Sequence, residues 1–329
     1  MQRVLQNLCC CRGRPHAVDM PRIPASVERD YELLDLVGEG KTCRVMRGKA
    51  KAQDTASPPN VAIKLVATSY LSTPSRVDAL AAEIRALSLL RTEARVLSLI
   101  GVYEDDAHVA IVTELVSGGE LMAALGARKT LNEHTVRTLV RELVDVLAHM
   151  HSMGLTHRDL KPENMLLDTA DHLKLIDFGV AHFRDTDGPM VGLCGTGPFM
   201  APEVFDKETA YTAKVDVWSL GVCVFVLLTG HAPFEGRFLS QLEDKIRLGE
   251  YALPSHQQLS ATARSFIATC LNVDVAERPT AKRLLQHPWL DLNQVQSVFN
   301  VPFGSDHMAC IRAYAAASTA VCVHKPPPA

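Results

Sequence analysis

Two short strings put chemistry-bearing side chains at fixed spacing: His157-Arg158-Asp159-Leu160-Lys161-Pro162-Glu163-Asn164, and downstream Asp177-Phe178-Gly179. Phosphoryl transfer asks little covalent chemistry of a protein; it needs positioning, and charge set around the phosphate oxygens. Asp159 can orient an attacking hydroxyl and accept its proton. Lys161 can steady the transferring phosphate, and Asn164 and Asp177 can hold magnesium ions through oxygen. Together these are the parts for moving a phosphoryl group from ATP to a hydroxyl.

The flanking sequence supplies elements to hold them. Tyr31 to Val37 has strand character and ends at the turn Gly38-Glu39-Gly40, with Val45 to Gly48 returning and Val61 to Val66 a third strand. Lys49 to Asn60, which contains Pro58-Pro59, reads as a loop. Thr73-Pro74 is a helix start, a capping hydroxyl before Pro, and Leu80, Ile84, Leu87 and Leu90 follow at helical spacing. Leu97 to Tyr103 and Val109 to Leu115 are two more strands. After Gly118-Gly119 the pattern turns helical: Glu133 to Met153 is amphipathic, and Asp216 to Leu228 is apolar on nearly every face, as a central buried helix is. Residues 1–29, with Pro15, Pro21 and Pro24, read as an extension.

These strings, in this order, resemble the motif set of eukaryotic protein kinases. The resemblance covers about residues 30 to 290. It implies an α+β, bilobal fold: an antiparallel-sheet lobe with one helix over 30–116, a larger mainly helical lobe over 117–290, and a tail over 291–329. It also implies ATP and magnesium as cofactors. Gly38-Glu39-Gly40-Lys41-Thr42-Cys43-Arg44-Val45 looks like the glycine-rich loop over the phosphates, with Cys43 where the family has its third glycine. That thiol fits either packing or redox chemistry. Lys64, in Val61-Ala62-Ile63-Lys64, matches the lysine that contacts phosphate and pairs with a helix glutamate. Glu83 is its match, and it borders the stripe of Ile84, Leu87 and Leu90. Val37, Gly38, Gly40, Val45, Ala62 and Leu166 would line the nucleotide pocket, Glu114 and Leu115 would supply backbone contacts to adenine, and Thr113 would stand at the back. Glu120 is a further nucleotide-side and substrate-side candidate.

The resemblance makes His157 a packing residue, in a stack with Leu87, Leu99 and Phe178 anchored by Asp216. Cys194-Gly195-Thr196-Gly197-Pro198-Phe199-Met200-Ala201-Pro202-Glu203 is similar to the substrate-docking end of an activation segment, with Gly-Pro where the family usually has Pro-Gly. Thr196 should bond Asp159 and Lys161, and Glu203 should pair with Arg278. Lys161-Pro162-Glu163-Asn164 matches the serine/threonine pattern, and Leu115 to Leu121, Cys194-Gly195-Thr196 and His287-Pro288-Trp289 are most similar to the calcium/calmodulin-dependent kinase group. In that group Glu120 and Glu163 counterparts receive an arginine upstream of the acceptor. The alternative reading is a pseudokinase or scaffold that binds nucleotide or partners without turnover. Gly192 stands where many relatives carry the phosphorylated hydroxyl. Between Gly179 and Cys194 the acceptor is Thr186, beside Asp185 and Asp187; Arg158 has as candidate partners a phosphate on Thr186 or, without phosphate, either carboxylate.

Composition bounds the remaining classes. With 34 Lys and Arg against 37 Asp and Glu, no broad nucleic-acid face is expected. No apolar run reaches the roughly 18 to 20 residues of a bilayer span. Nine cysteines with no Cys-x-x-Cys pair point to a reducing, cytoplasmic setting. Calmodulin is an unexpected partner, because residues 291–329 carry only Arg312 and Lys325 as basic Arg or Lys side chains. Protein substrates with Ser or Thr acceptors are the expected partners. Cys9-Cys10-Cys11, with Arg3, Arg12 and Arg14, fits either acylation and peripheral membrane association or an unstructured tail; Gln2 excludes N-myristoylation.

Overall fold

A computed structural model describes residues 22–23, 25–40, 43–52, 59–126, 130–236, 238–253, 259–293, 300–302 and 320–322. The Cys9–Cys11 cluster lies outside the described residues, as do Lys41 and Thr42. The chain forms two compact units, one of residues 1–117 with 176–179, the other of residues 118–175 with 180–329.

In the first unit, six strands are ordered β1-β5-β6-β4-β3-β2. They are β1 (Arg22–Ile23), β2 (Tyr31–Glu39), β3 (Cys43–Ala50), β4 (Asn60–Ala67), β5 (Leu99–Glu104) and β6 (His108–Glu114), with α1 (Pro74–Leu89) between β4 and β5. All neighbours are antiparallel except β1, which pairs parallel to β5, Arg22 opposite Val102. Residues 22–23 and 25–29, read from sequence as the end of an extension, belong to the sheet unit. Val27 explains why: it packs in a cluster with Tyr31, Val61, Ile63, Tyr103, Ala110 and Val112, and Tyr103 donates to Asp30 at 2.9 Å. Pro74 opens α1 as expected, but the Thr73 hydroxyl makes no capping bond; it sits 3.4 Å from the Ser75 hydroxyl instead.

The second unit holds α2 (Leu121–Gly126), β7 (Thr130–Asn132), α3 (Glu133–Ser152), β8 (Leu155–Thr156), β9 (Met165–Leu167), β10 (Leu173–Leu175), β11 (His182–Phe183) and α4 (Arg184–Asp187). Next come β12 (Cys194–Thr196), α5 (Lys214–Thr229), α6 (Leu239–Leu248), α7 (Ala261–Cys270), α8 (Ala281–Leu284), β13 (Asn300–Pro302) and β14 (Ala320–Cys322). Asn132 caps α3, accepting from the Thr135 N–H at 2.7 Å. Val136, Leu139, Val140, Leu143, Val144, Leu147 and Met150 then give α3 its buried stripe. Helix α5 is buried from Val215 to Thr229. Its Gly221 is needed for close approach: a Cβ there would stand 2.6 Å from Cys270 Cβ on α7. Within the tail, β13 pairs with β7 and β14 pairs with β12. Among the described residues no helix is long and apolar enough to cross a membrane.

Candidate active site

In the first unit the sheet register sets the nucleotide-side residues. Lys64 lies opposite Val45 on one side and Ile111 on the other, and Ala62 lies opposite Thr113. From α1, Glu83 meets Lys64, whose Nζ donates to Glu83 Oε1 at 2.6 Å and Oε2 at 2.8 Å. Burial alone would draw the Lys64 ammonium down, but the charges of Glu83 and Asp177 outweigh it and push it up. Lys64 thus stays a fixed cation. The glycine-rich hairpin pairs Gly38 with Val45, and the Gly40 N–H donates to the Cys43 carbonyl at 3.0 Å. Val37 is exposed at 54%. Glu114, at the end of β6, accepts from the Ser98 N–H at 2.9 Å through its side chain, and the Thr113 hydroxyl donates to the Glu114 carbonyl at 3.2 Å. Leu115 follows, partly buried.

Asp177 belongs to the same unit and has φ 60°. A non-glycine residue in this left-handed region costs about 1–3 kcal/mol and persists where the surroundings fix it. Its Oδ1 accepts from the Gly179 N–H at 3.2 Å, a local turn that aims the carboxylate.

In the second unit a second strained turn carries the catalytic loop. Arg158 has φ 68°. Asp216, fully buried on α5, holds that turn by accepting the N–H groups of His157 and Arg158, each at 2.9 Å. Burial would raise the Asp216 carboxyl, but the hydrogen bond from His151, 2.8 Å away, and the charges of His151 and His157 keep it below the usual range. His151, in the last turn of α3, is a positioning residue that the sequence reading missed. Its only signal was a polar side chain next to the buried stripe. His157 itself is fully buried, and its Nδ1 accepts from the Asp159 N–H at 3.3 Å.

Asp159, Lys161, Asn164 and Thr196 converge. Thr196 donates to Asp159 Oδ1 at 2.6 Å, Lys161 Nζ donates to Asp159 Oδ2 at 2.7 Å and to Thr196 Oγ1 at 2.8 Å. Asn164 Nδ2 donates to the Asp159 carbonyl at 2.8 Å, which leaves its amide oxygen as the atom to offer a cation. A hard ion such as magnesium takes oxygen ligands, and one or two from protein suffice when phosphates supply the rest. Asn164 and Asp177 fit that donor chemistry. Leu166 bridges to Glu120 across the start of α2. Glu163 is half-buried, and its Oε2 is buried without a hydrogen-bond partner. Burial pushes its carboxyl up; a hydrogen bond from its own backbone N–H and the charge of Lys161 oppose this, while Asp159 and Glu120 add to it. On the activation segment, the Thr186 hydroxyl donates to Asp187 Oδ1 at 2.7 Å and Arg184 lies 3.5 Å from Asp185. Arg158 Nε donates to the Val180 carbonyl at 2.7 Å.

The sequence has counterparts in known proteins. The chain is 36% identical over 280 residues to a calcium/calmodulin-dependent protein kinase type 1 of Macrobrachium nipponense, covering 84% of this chain and 79% of that one. It is 35% identical over 277 residues to human serine/threonine-protein kinase H1, covering 82% of this chain and 62% of the relative. It is 33% identical over 290 residues to the serine/threonine-protein kinase RAD53 of Saccharomyces cerevisiae, with 82% and 34% covered. The chain thus spans less than two thirds of two of these three relatives. The protein kinase domain model matches residues 31–290, so the chain belongs to that family, as a protein serine/threonine kinase.

Proposed function

We propose that this chain transfers the γ-phosphoryl group of ATP to Ser or Thr hydroxyls of proteins that carry arginine upstream of the acceptor. Turnover is supported by the Asp159–Lys161–Asn164–Thr196 constellation, in which every polar group already has the partner its role requires. Asp159 would take the position beside the attacking hydroxyl, with Thr196 and Lys161 fixing its two oxygens. Lys161 would face the transferring phosphate, and Lys64, held by Glu83, would bind phosphate at the nucleotide. ATP would supply the phosphoryl group, and magnesium, for which Asn164 and Asp177 are each oxygen donors, would supply charge neutralisation.

The basic preference rests on Glu163. One oxygen of the Glu163 carboxyl is buried without a partner, and burial with two neighbouring carboxylates pushes the group up, so a guanidinium beside it would relieve both costs. Glu120 is exposed, so its pairing with a guanidinium is screened and weaker. Glu163→Gln should therefore raise KM for a peptide with Arg three residues before Ser about tenfold, and Glu120→Gln about threefold, with kcat little changed. Acidity gives a second readout. Because the Glu163 carboxyl is pushed up, its charge is lost on acidification before that of an ordinary glutamate, so KM should climb as pH falls, and Glu163→Gln should flatten that climb. A peptide scan with proline-directed or acidic preference would sink the arginine reading.

Activity should not require phosphate on the activation segment. Thr186 already bonds Asp187 and is flanked by Asp185, so added negative charge there meets two carboxylates. Phosphatase-treated enzyme and Thr186→Ala should both keep peptide turnover near the parent rate. Loss of turnover in both would make Thr186 phosphorylation the switch.

A further inference from the structure

A kinase selective for arginine three residues before its acceptor can meet that pattern in its own chain. Three Ser or Thr hydroxyls have arginine at that distance: Ser88 after Arg85, Ser98 after Arg95 and Ser240 after Arg237. The fold decides among them. The Ser88 hydroxyl is buried on α1. Ser98 is half-buried just before β5, its N–H donating to the Glu114 carboxylate and its carbonyl accepting from the Glu114 N–H. Ser240 is exposed, in the first turn of α6. We propose that Ser240 is a modification site, phosphorylated by a second copy of this chain. The assignment rests on the arginine preference proposed above and names one substrate for it, the chain itself.

A hydroxyl on a helix must be freed from its neighbours to enter a catalytic site, and at Ser240 the cost is small. Phe238, just before α6, is already extended at φ −128° and ψ 154°, and no side chain caps the helix. The first four N–H groups of a helix have no partner within it. Releasing Leu239 and Ser240 therefore gives up only the bonds their carbonyls and that of Phe238 accept, the last from the Leu242 N–H at 3.1 Å. Little new apolar surface meets water, because Phe238 and Leu239 are already 68% and 42% exposed. Leu242 and Ile246 are buried and anchor the rest of α6, and a Cβ on Gly197, next to Thr196, would stand 3.5 Å from Leu242 Cδ2. Leu242 lies two residues beyond Ser240, and two extended residues reach about 7 Å. A segment free to set Arg237 at Glu163 and Ser240 at Asp159 together thus comes from another copy. In the step, Ser240 Oγ bonds to the γ-phosphorus of ATP as the bond from that phosphorus to the β–γ bridging oxygen breaks. The hydroxyl proton passes to Asp159 of the catalysing copy, and ADP leaves with the bonding electrons.

Phosphatase-treated full chain would be incubated with ATP and magnesium and its phosphosites mapped by mass spectrometry. Turnover of a peptide with Arg three residues before Ser would be measured alongside. Ser240 phosphate is expected, with the rate per chain rising with chain concentration. A Lys64→Met chain supplied as acceptor should gain Ser240 phosphate from a trace of parent and none when alone. Adding Arg237→Ala to that acceptor should slow the gain at least fivefold. Ser240→Ala should keep peptide turnover at the parent rate. A parent that turns over the peptide yet leaves Ser240 bare would overturn the site. A rate per chain independent of concentration would overturn transfer between copies, and equal labelling of the Arg237→Ala acceptor would overturn its recognition through arginine. A parent that neither turns over the peptide nor labels itself overturns the kinase reading and this site with it, an outcome the peptide control keeps distinct.

Discussion

Asp159→Asn should lower peptide turnover about a thousandfold while nucleotide binding persists, because a positioned general base contributes about 10²–10⁴-fold. The carboxylate accepts from Thr196 on one oxygen and from Lys161 on the other. Asparagine keeps one acceptor but turns a donor toward Lys161 or Thr196, so the hydroxyl-facing charge and its orientation go together. Lys64→Met should be comparably inactive for a different reason, lost phosphate contact, and should weaken nucleotide binding as well. Its fold should survive: without the ammonium, Glu83 can hold a proton, since burial already favours its neutral form. The two variants separate the roles, Asp159→Asn acting on kcat alone and Lys64→Met on both constants. The check is steady-state kinetics with nucleotide titration on purified full chains. An Asp159→Asn enzyme near the parent rate would overturn the mechanism.

What could be read from sequence was what local spacing determines. Lys64 and Glu83 meet because strand register and the Ile84–Leu87 stripe fix both directions, and the buried stripe of α3 follows from its 3.6 periodicity. The Asp159–Thr196 bond was legible only through the resemblance, since 37 residues separate the partners. The tail strands escaped for a physical reason. Asn300–Pro302 and Ala320–Cys322 are three residues each, too short for alternation to show, and nothing local says which edge they join. Residues 22–23 and 25–29 escaped similarly, since their ties to the sheet are a two-residue strand and the buried side chain of Val27. The absent cap at Thr73 is a competition between hydroxyl partners that sequence does not decide. Glu133 is the converse case. An acidic residue in a helix's first turn reads as solvated, yet it is fully buried, accepting from the Ser260 hydroxyl at 2.6 Å and from Trp289 Nε1 at 2.9 Å.

The largest stability loss is expected at Glu203. Arg278 is fully buried and donates to Glu203 through both terminal nitrogens, at 2.6 and 3.0 Å, to the Asn272 carbonyl at 2.9 Å and to the Lys214 carbonyl at 3.2 Å, with its guanidinium 5.0 Å from the Trp218 ring centroid. The pair ties the end of the activation segment to the start of α5 and to the segment after α7. A buried pair is weak evidence for net stability when replaced whole, but removing one partner strands the other, at a cost of about 3–5 kcal/mol. Glu203→Ala should therefore lose about that much, a large part of a domain's usual margin. Arg278→Lys should lose nearly as much, since an ammonium cannot make the two-pronged contact and the two carbonyl bonds at once. Glu203→Leu with Arg278→Met should recover much of the loss by leaving no stranded charge. Urea unfolding followed by tryptophan fluorescence suits the test. Both tryptophans of the chain, Trp218 and Trp289, are buried in the second unit, so the signal reports that unit alone. A Glu203→Ala chain whose midpoint matches the parent, or a double variant no better than the single, would show that the pair does not hold this region together.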